Sequence, residues 1–468
     1  MLEGSTMNAP SPAPLPVAHI VKGEVVTGCE EEFGSGRARF ATPKLDADKL
    51  VWSRREKVPA FDVPIGEIVD VLVATGDYLR RDPDGLLAQA AAESVRTNPL
   101  PSTLVERCYA NLGGIFARES LEFQIRQELG GADILDGWRE ITTPKGLPAR
   151  IRAVPPRLIH VIAGNAPGVA AQTLIRGALT KGVHLVKLPS NDLLTMPAVL
   201  RALAATAPGH PLTRSFSAVY WRGGDETVER ALFRPQFFDK VVAWGGESTI
   251  RSAVKYLGPG FELVAFDPKS SISMVGREAF GSPETLAQAA DRAAVDATIL
   301  NQQACYSSRF QFVEGTAEQV DLYCEKLQAA LGVDRPTATA IGNPPIGAIR
   351  DEISGLRDLD PLYRVWGSFD GRGVVIRSDE PVDFYPDAKV VNVVRVADLA
   401  DALRYVHIAT QTVGVFPDSR RLELRDLIAS AGAQRITALG AAAANQAGLP
   451  HDGFHPLQRF VRWASDEG

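Results

Sequence analysis

Of the four cysteines, at 29, 108, 305 and 324, the one in "NQQACYSSRFQFVEG" stands apart. Cys305 follows the amides of Asn301, Gln302 and Gln303 and precedes the hydroxyls of Tyr306, Ser307 and Ser308. Such a neighbourhood supports a thiolate and leaves room for substrate, which nucleophilic catalysis requires. The competing reading is a small buried structural residue, a common fate of a free thiol. Cys324 falls on an apolar position of the helical pattern "QVDLYCEKLQAAL" and reads as core. Cys108 and Cys29 lack catalytic neighbours. Without any CxxC pair there is neither a disulfide framework nor a zinc site, so no metal is expected.

A second set of candidates ends strands. Asn165, in "HVIAGNAPG", closes one just ahead of a helix, where backbone N–H groups and its own amide can hold a developing oxyanion. It can equally be a turn residue and helix cap. Gly164 beside it, Lys187 and Ser190 in "LVKLPSND", and Trp244, Gly245 and Gly246 in "AWGGE" form the candidate cofactor-binding set. A lysine at a strand's carboxyl end reaches ribose hydroxyls or a phosphate, or is simply solvated. Ser190 stands where a carboxylate would favour NAD and repel the extra phosphate of NADP, which a small hydroxyl admits. The paired glycines let backbone approach a pyrophosphate. Among the seven histidines, His160 lies in a strand and reads as core, and His407 could face a cleft. His451 opens a compact loop, "LPHDGFHPLQRFVRW", in which Asp452 and Gly453 read as turn residues, structural ahead of chemical.

These residues need a scaffold, and the pattern between 155 and 270 supplies one. Strand "LIHVIAG", helix "GVAAQTLIRGALTKG", strand "HLVKLPS", helix "LTMPAVLRALAAT", strand "FSAVYWRG", helix "DETVERALF", strand "KVVAWGG", helix "ESTIRSAVKYL" and strand "ELVAFD" follow in turn. Apolar strands alternating with helices mean a parallel sheet covered on both faces, with ligands beyond the strands' carboxyl ends. The pattern restarts at 283 with the helix "PETLAQAADRAAVDATIL", strand "RFQFVEG" and helix "AEQVDLYCEKLQAAL". A loop-rich stretch with short strands follows at 340–375, then "AKVVNVVRV", helix "ADLADALRYV" and "QTVGVFP". Before 150, residues 20–75 read as short strands and turns, including an alternating "EIVDVLVATG", and residues 86–130 as helices. The expected domains are a flexible Pro/Ser/Ala-rich leader (1–20), an N-terminal region with a cofactor-binding α/β domain (21–275) and a second α/β domain carrying Cys305 (276–430). A C-terminal segment (431–468) is expected to pack back on the first domain or on an oligomer interface.

Composition narrows the function classes. The 468 residues carry a net charge of −6, which gives no basic surplus for gripping nucleic acid. No apolar run approaches the roughly 20 residues of a spanning helix. No signal peptide is evident, Met7 is a candidate for the natural start, and scattered free thiols fit a reducing cytoplasm.

Taken in order, "AGNAPG", "VKLPSND", "VVAWGG", "FDPKSSIS", "NQQACYSSRFQFVEG", "QTVGVFP" and "PHDGFHPLQRFVRW" resemble the long-chain acyl-CoA reductases of bacterial bioluminescence, the LuxC type. That family is a branch of the aldehyde dehydrogenase superfamily, and the match runs over residues 155–465. The resemblance implies an aldehyde-dehydrogenase-like fold, a Rossmann-type cofactor domain facing a catalytic α/β domain across a cleft. It implies Cys305 as nucleophile, Asn165 with the Cys305 N–H as oxyanion hole, and Lys187 and Ser190 around the adenosine ribose, with NADPH as cofactor. Ordinary members carry an "ELGGK"-like segment whose glutamate activates water. Matching Lys269 to its lysine puts Ala265 at the glutamate position, with Glu262 three residues earlier. No "EIFGP"-like segment is present to hold the nicotinamide ribose. An acyl-cysteine without that water-activating base survives long enough to be reduced.

The implied activity is therefore NADPH-dependent reduction of long-chain acyl-CoA to the aldehyde through an acyl-cysteine. The resemblance also implies a homo-oligomer, dimer or tetramer, and leaves room for an acyl-transferring partner enzyme. Three alternatives stay open: a reductase of shorter acyl-CoA or acyl phosphate, a cysteine acyltransferase without redox cofactor, and an acyl-holding subunit.

Overall fold

Apolar strands buried on both faces organise the two halves of the chain, of which the computed structural model describes residues 13–468. In the first half, five parallel strands lie in the order Glu262–Phe266, Lys240–Trp244, Arg157–Val161, Val183–Lys187 and Phe216–Val219. The chain starts in the middle at Arg157–Val161, winds outward through Val183–Lys187 and returns to the other side at Lys240–Trp244. Strand order thus reverses between Arg157–Val161 and Lys240–Trp244. A crevice opens at the carboxyl ends of strands at such a reversal, here between the loop after Val161 and the loop after Trp244.

A second seven-stranded sheet has the order Arg364–Ser368, Gly373–Ser378, Val390–Val396, Ser308–Glu314, Ser270–Val275, Thr410–Phe416 and Arg435–Ala438. All its pairings are parallel except Arg364–Ser368 with Gly373–Ser378. Its limits are wider than the expected 276–430, because Ser270–Val275 and Arg435–Ala438 are strands of this sheet. The last strand of the chain, Arg462–Asp466, pairs antiparallel with Pro148–Val154, which pairs in turn with Arg139–Thr142. The C-terminal segment so returns to the first half.

Three local readings need correction. "EIVDVLVATG" is not a strand but part of the helix Ile65–Arg81. Its buried residues Ile65, Ile68, Val69, Leu72, Thr75, Gly76 and Leu79 recur three and four apart, and the apparent alternation is a short stretch of that longer period. The stretch 340–375 holds a helix, Gly347–Arg357, besides its strands. Of the expected leader, residues 1–12 lie outside the described residues. The rest is already structured: Leu15–Pro16 runs parallel to Phe40–Thr42, and His19–Val21 extends the first sheet beside Phe216–Val219.

Candidate active site

Cys305 stands in the link between the helix Pro283–Ala297 and the strand Ser308–Glu314, at the amino ends of the second sheet. The link opens with three consecutive non-glycine residues at positive φ: Leu300 (49°), Asn301 (48°) and Gln302 (76°). L-residues avoid this region by about 1–2 kcal/mol each, so their surroundings must hold them there. The Leu300 N–H donates to the Thr337 carbonyl at 2.8 Å. The Asn301 amide donates to Thr339 Oγ1 at 2.7 Å and accepts from the Thr339 N–H at 3.0 Å. Gln302 donates to the Val390 carbonyl at 2.8 Å. The buried Arg309 donates to the carbonyls of Gln302 and Pro386, each at 2.5 Å, and to Asp387 at 3.1 Å. Ser307 Oγ donates to the Ile299 carbonyl at 2.9 Å. Most of the polar residues that flank the cysteine in sequence therefore turn inward and fix the backbone.

The side chain that meets the sulfur comes from elsewhere. Gln411 Nε2 lies 3.2 Å from Cys305 Sγ, and the same nitrogen donates to Asp452 Oδ1 at 2.8 Å. A break in register aims Gln411. Ser270 pairs with Thr410 and Ile272 with Val413, so Gln411 and Thr412 together oppose the single Ser271. A bulge of this kind re-aims a side chain. Ser271 secures both sides of it, donating to the Cys305 carbonyl at 2.9 Å and accepting from the Thr412 N–H at 3.1 Å.

Cys305 is crowded by protein yet exposed at its side chain. Burial pushes its thiol above the ordinary range, and the negative charge of Asp452 adds to this. Gln411 and the backbone N–H groups of Cys305 and Tyr306 oppose the shift by favouring the thiolate. Around neutral pH the sulfur is therefore a thiol with donors already aimed at its charged form. Cys324 is buried, as its helical position suggested, and burial raises its thiol too.

Asp452 belongs to the loop read from sequence as a turn, and it is one. The His451 N–H donates to the Phe454 carbonyl at 2.8 Å and the Phe454 N–H returns to His451 at 3.2 Å, with Asp452 (φ 51°) and Gly453 (φ 82°) between them. Asp-Gly is a residue pair that tolerates two positive φ angles. The loop is anchored to the first half. Arg176, buried on the helix Gly168–Leu179, lies 3.2 Å from His451 Nδ1, and Glu128 accepts from the Leu457 N–H at 2.6 Å. Burial, together with the cations Arg176 and Arg435, pulls His451 down to about 3, so its Nδ1 accepts from Arg176. Trp244 stacks on Phe266 at 3.7 Å between ring centroids, with His451 5.5 Å from Trp244.

The other sequence candidates divide. Asn165 Nδ2 donates to the carbonyl of Gln303, two residues before Cys305, at 3.3 Å. One of its two N–H bonds is thus spent on the cysteine link. Gly164 is explained by packing, since a Cβ there would lie 2.2 Å from Asn191 Oδ1. Lys187 is half-buried at the end of its strand, with Nζ 5.5 and 5.7 Å from the ring centroids of Tyr220 and Trp221, and burial pulls its ammonium down to about 8. Ser190 is exposed and lines a hollow with Arg39 and Arg96, which pair with Glu32 and Glu93. Gly245 has φ 152°, Gly246 faces open space, and the helix Glu247–Val254 starts there without a side-chain cap. Its free N–H groups, at the reversal of strand order, fit the pyrophosphate of a dinucleotide. Lys187 and Ser190, two strands along, suit the ribose end.

His160 is core, 3.0 Å from His184 and buried. His407 is exposed, with its Nδ1 accepting from the Ala409 N–H at 3.2 Å. Glu262 is at the amino end of its strand beside Lys240, 3.3 Å away. It is roughly 13 Å of strand from the site and cannot reach it. Among the described residues no helix is long and apolar enough to cross a membrane, and no cluster of three or more His, Cys, Asp or Glu could hold a metal. Gln411 and Asp452 were missed as functional candidates. The only sequence signal for either is the place of its stretch in the ordered set.

Residues 64–463 match the acyl-CoA reductase (LuxC) family. A long-chain acyl-protein thioester reductase of Photorhabdus luminescens is 32% identical over 362 residues, covering 73% of this chain and 69% of that protein. The namesake from Vibrio harveyi is 28% identical over 474 residues, covering 96% and 92%. The structure superposes on an NAD-dependent benzaldehyde dehydrogenase from Corynebacterium glutamicum with a TM-score of 0.71 at 15% identity, over 97% of this chain and 98% of that one. The aldehyde-dehydrogenase-like fold expected from sequence is the fold observed. By sequence and by architecture, the chain belongs to the acyl-CoA reductase (LuxC) family, on an aldehyde-dehydrogenase-like oxidoreductase scaffold.

Proposed function

We propose that this chain reduces long-chain fatty acyl-CoA to the aldehyde with NADPH, by way of an acyl group carried on Cys305. The observation that carries the reading is the sulfur itself: exposed and backed by the Gln411 amide and two backbone N–H groups, with the Asn165 amide tied to its link at the Gln303 carbonyl. The Cys305 sulfur attacks the thioester carbonyl while Asn165 and the Cys305 N–H take up the oxyanion. Each such donor contributes about 3–4 kcal/mol to the transition state. With Ala265 at the position of the water-activating glutamate and Glu262 out of reach, no group there prepares water to hydrolyse the acyl-cysteine. Lys187, Ser190, Trp244, Gly245 and Gly246 would hold NADPH, and bound NADPH supplies the hydride. After reduction the same two donors hold the oxygen. Its collapse to the aldehyde frees the Cys305 thiolate, to which Gln411 donates.

Ser190 carries the preference for NADPH, since position 190 itself sets no carboxylate against the extra phosphate. The benzaldehyde dehydrogenase of like fold is NAD-dependent. The relatives' name, acyl-protein thioester reductase, favours a second reading of the donor, in which a partner enzyme delivers the acyl group as a protein thioester. Four unpaired cysteines suit a reducing cytoplasm. The family's fold suits a dimer or tetramer.

The test is NADPH consumption and aldehyde release with acyl-CoAs from short to long, for wild type and Cys305→Ala. Turnover with an optimum at long chains, lost in the alanine variant while NADPH still binds, supports the reading. Aldehyde made by Cys305→Ala overturns it. Free CoA and an acylated cysteine without aldehyde point to a partner-dependent acyl carrier.

A further inference from the structure

We propose that Asp452 handles the proton of the Cys305 thiol, accepting it as the sulfur attacks a thioester and returning it to the departing thiol, while Gln411 holds the two groups in register. This rests on the thioester reading above. Nothing at the position of the usual glutamate can act, because Ala265 has no ionisable group and Glu262 sits at the far end of its strand. The carboxylate that acts on Cys305 comes instead from the C-terminal loop.

The geometry has a property that a purely structural pair would not need. Gln411 Nε2 carries two N–H bonds, one aimed at Cys305 Sγ at 3.2 Å and one at Asp452 Oδ1 at 2.8 Å. Whichever of the two acceptors bears the negative charge already has its donor. Moving the proton from sulfur to carboxyl therefore breaks neither contact. Because both contacts share one nitrogen, sulfur and carboxylate lie within reach of a single bridging water, the distance at which a general base still works.

The charges around the pair allow both states. Arg176 and Lys269 favour the Asp452 carboxylate, Asp267 opposes it, and His451 beside it is neutral. Arg435, Tyr306 and Tyr385 feel the charge of the sulfur. Burial holds both the carboxyl and the thiol above their ordinary ranges. One negative charge shared between two adjacent acids is the state such a site favours.

The step balances. The S–H bond of Cys305 breaks, its sulfur bonds the carbonyl carbon, and the proton lands on Asp452. As the substrate's C–S bond breaks, Asp452 gives that proton to the leaving sulfur and regains its charge. One thiol enters, one thiol leaves, and nothing is oxidised.

The test compares palmitoyl-CoA with the S-phenyl thioester of palmitic acid, whose arylthiolate leaves without a proton. Acylation of Cys305 is read by mass, and its alkylation by iodoacetamide is measured beside it. Asp452→Asn is expected to slow acylation by the CoA thioester about a hundredfold, to slow the phenyl thioester far less, and to leave alkylation as fast or faster, since a like charge is removed. If alkylation and both acylations fall together, Asp452 only shapes the loop and the proposal is overturned. The wild type gives a check without any variant: a bell-shaped pH dependence with palmitoyl-CoA and a plateau at high pH with the phenyl thioester. Plateaus with both would sink it. Wild-type protein acylated by neither compound would overturn the thioester reading itself, whereas acylation untouched by Asp452→Asn overturns this inference alone.

Discussion

Replacing Asn301 tests whether the link before Cys305 is held under strain by its side-chain bonds. Asn301 is buried at φ 48° and ψ 40°, in the left-handed region that asparagine tolerates better than most residues. Its amide makes both bonds to Thr339, at 2.7 and 3.0 Å, and packs 3.1 Å from where a Cβ on Gly342 would lie. Asn301→Ala removes both bonds and strands the Thr339 N–H in a buried site, at about 1–3 kcal/mol. It also puts a Cβ with no local hydrogen bond into the left-handed region, at about 1 kcal/mol more. The expected loss is roughly 2–4 kcal/mol. Asn301→Gly loses the same bonds but not the backbone term, so it should be about 1 kcal/mol more stable than the alanine variant. Urea unfolding of the three proteins measures this, and iodoacetamide labelling of Cys305 reports whether the sulfur stays against Gln411. An alanine variant within about 0.5 kcal/mol of wild type, or a glycine variant less stable than alanine, would refute the account.

Two further outcomes follow from the first half of the molecule. Ser190→Glu sets a carboxylate against the extra phosphate at an exposed position, worth about 1–4 kcal/mol; NADPH affinity should drop at least tenfold more than NADH affinity in a fluorescence titration, and equal losses would remove Ser190 from the phosphate site. Glu128 is fully buried, and burial pushes it up to about 7 against the opposing pull of the Leu457 N–H and Arg176. Between the ordinary glutamate range and about pH 7 the folded protein keeps a proton that the unfolded chain has released, so stability falls as pH rises through that window. Glu128→Gln should flatten this slope in urea midpoints measured from pH 5 to 8, by up to about 3 kcal/mol; parallel profiles would mean Glu128 is charged throughout.

What could be seen in the sequence was whatever has a period or a local composition. The strands from Arg157 to Phe266 are short apolar runs separated by helices, and every one is where the pattern put it. The helix Ile65–Arg81 was misread because Val69, Val71 and Val73 satisfy a period of two over a few positions. Only the longer count, from Ile65 to Leu79, restores the helical one. Cys305 was visible through its amide and hydroxyl neighbours, yet the structure gives most of those neighbours another task. Asn301, Gln302 and Ser307 hold the backbone, and the side chain hydrogen-bonded to the sulfur among the described residues is Gln411.

That contact spans 106 residues and depends on a bulge opposite Ser271, a feature with no composition of its own. Had the register continued unbroken past Ser270, Gln411 would have paired one-for-one with Ser271 and Thr412 with Ile272, and every residue beyond would have turned to the other face, because a shift of one residue does that to a strand. Asp452 was hidden in the opposite way. Asp-Gly is such a common turn pair that the turn accounted for the residue fully, and the turn is real. Its backbone fixes the loop while its side chain is free to face the sulfur. The two explanations were never alternatives, and a reading that stops at the first sufficient local cause will miss every residue that serves two.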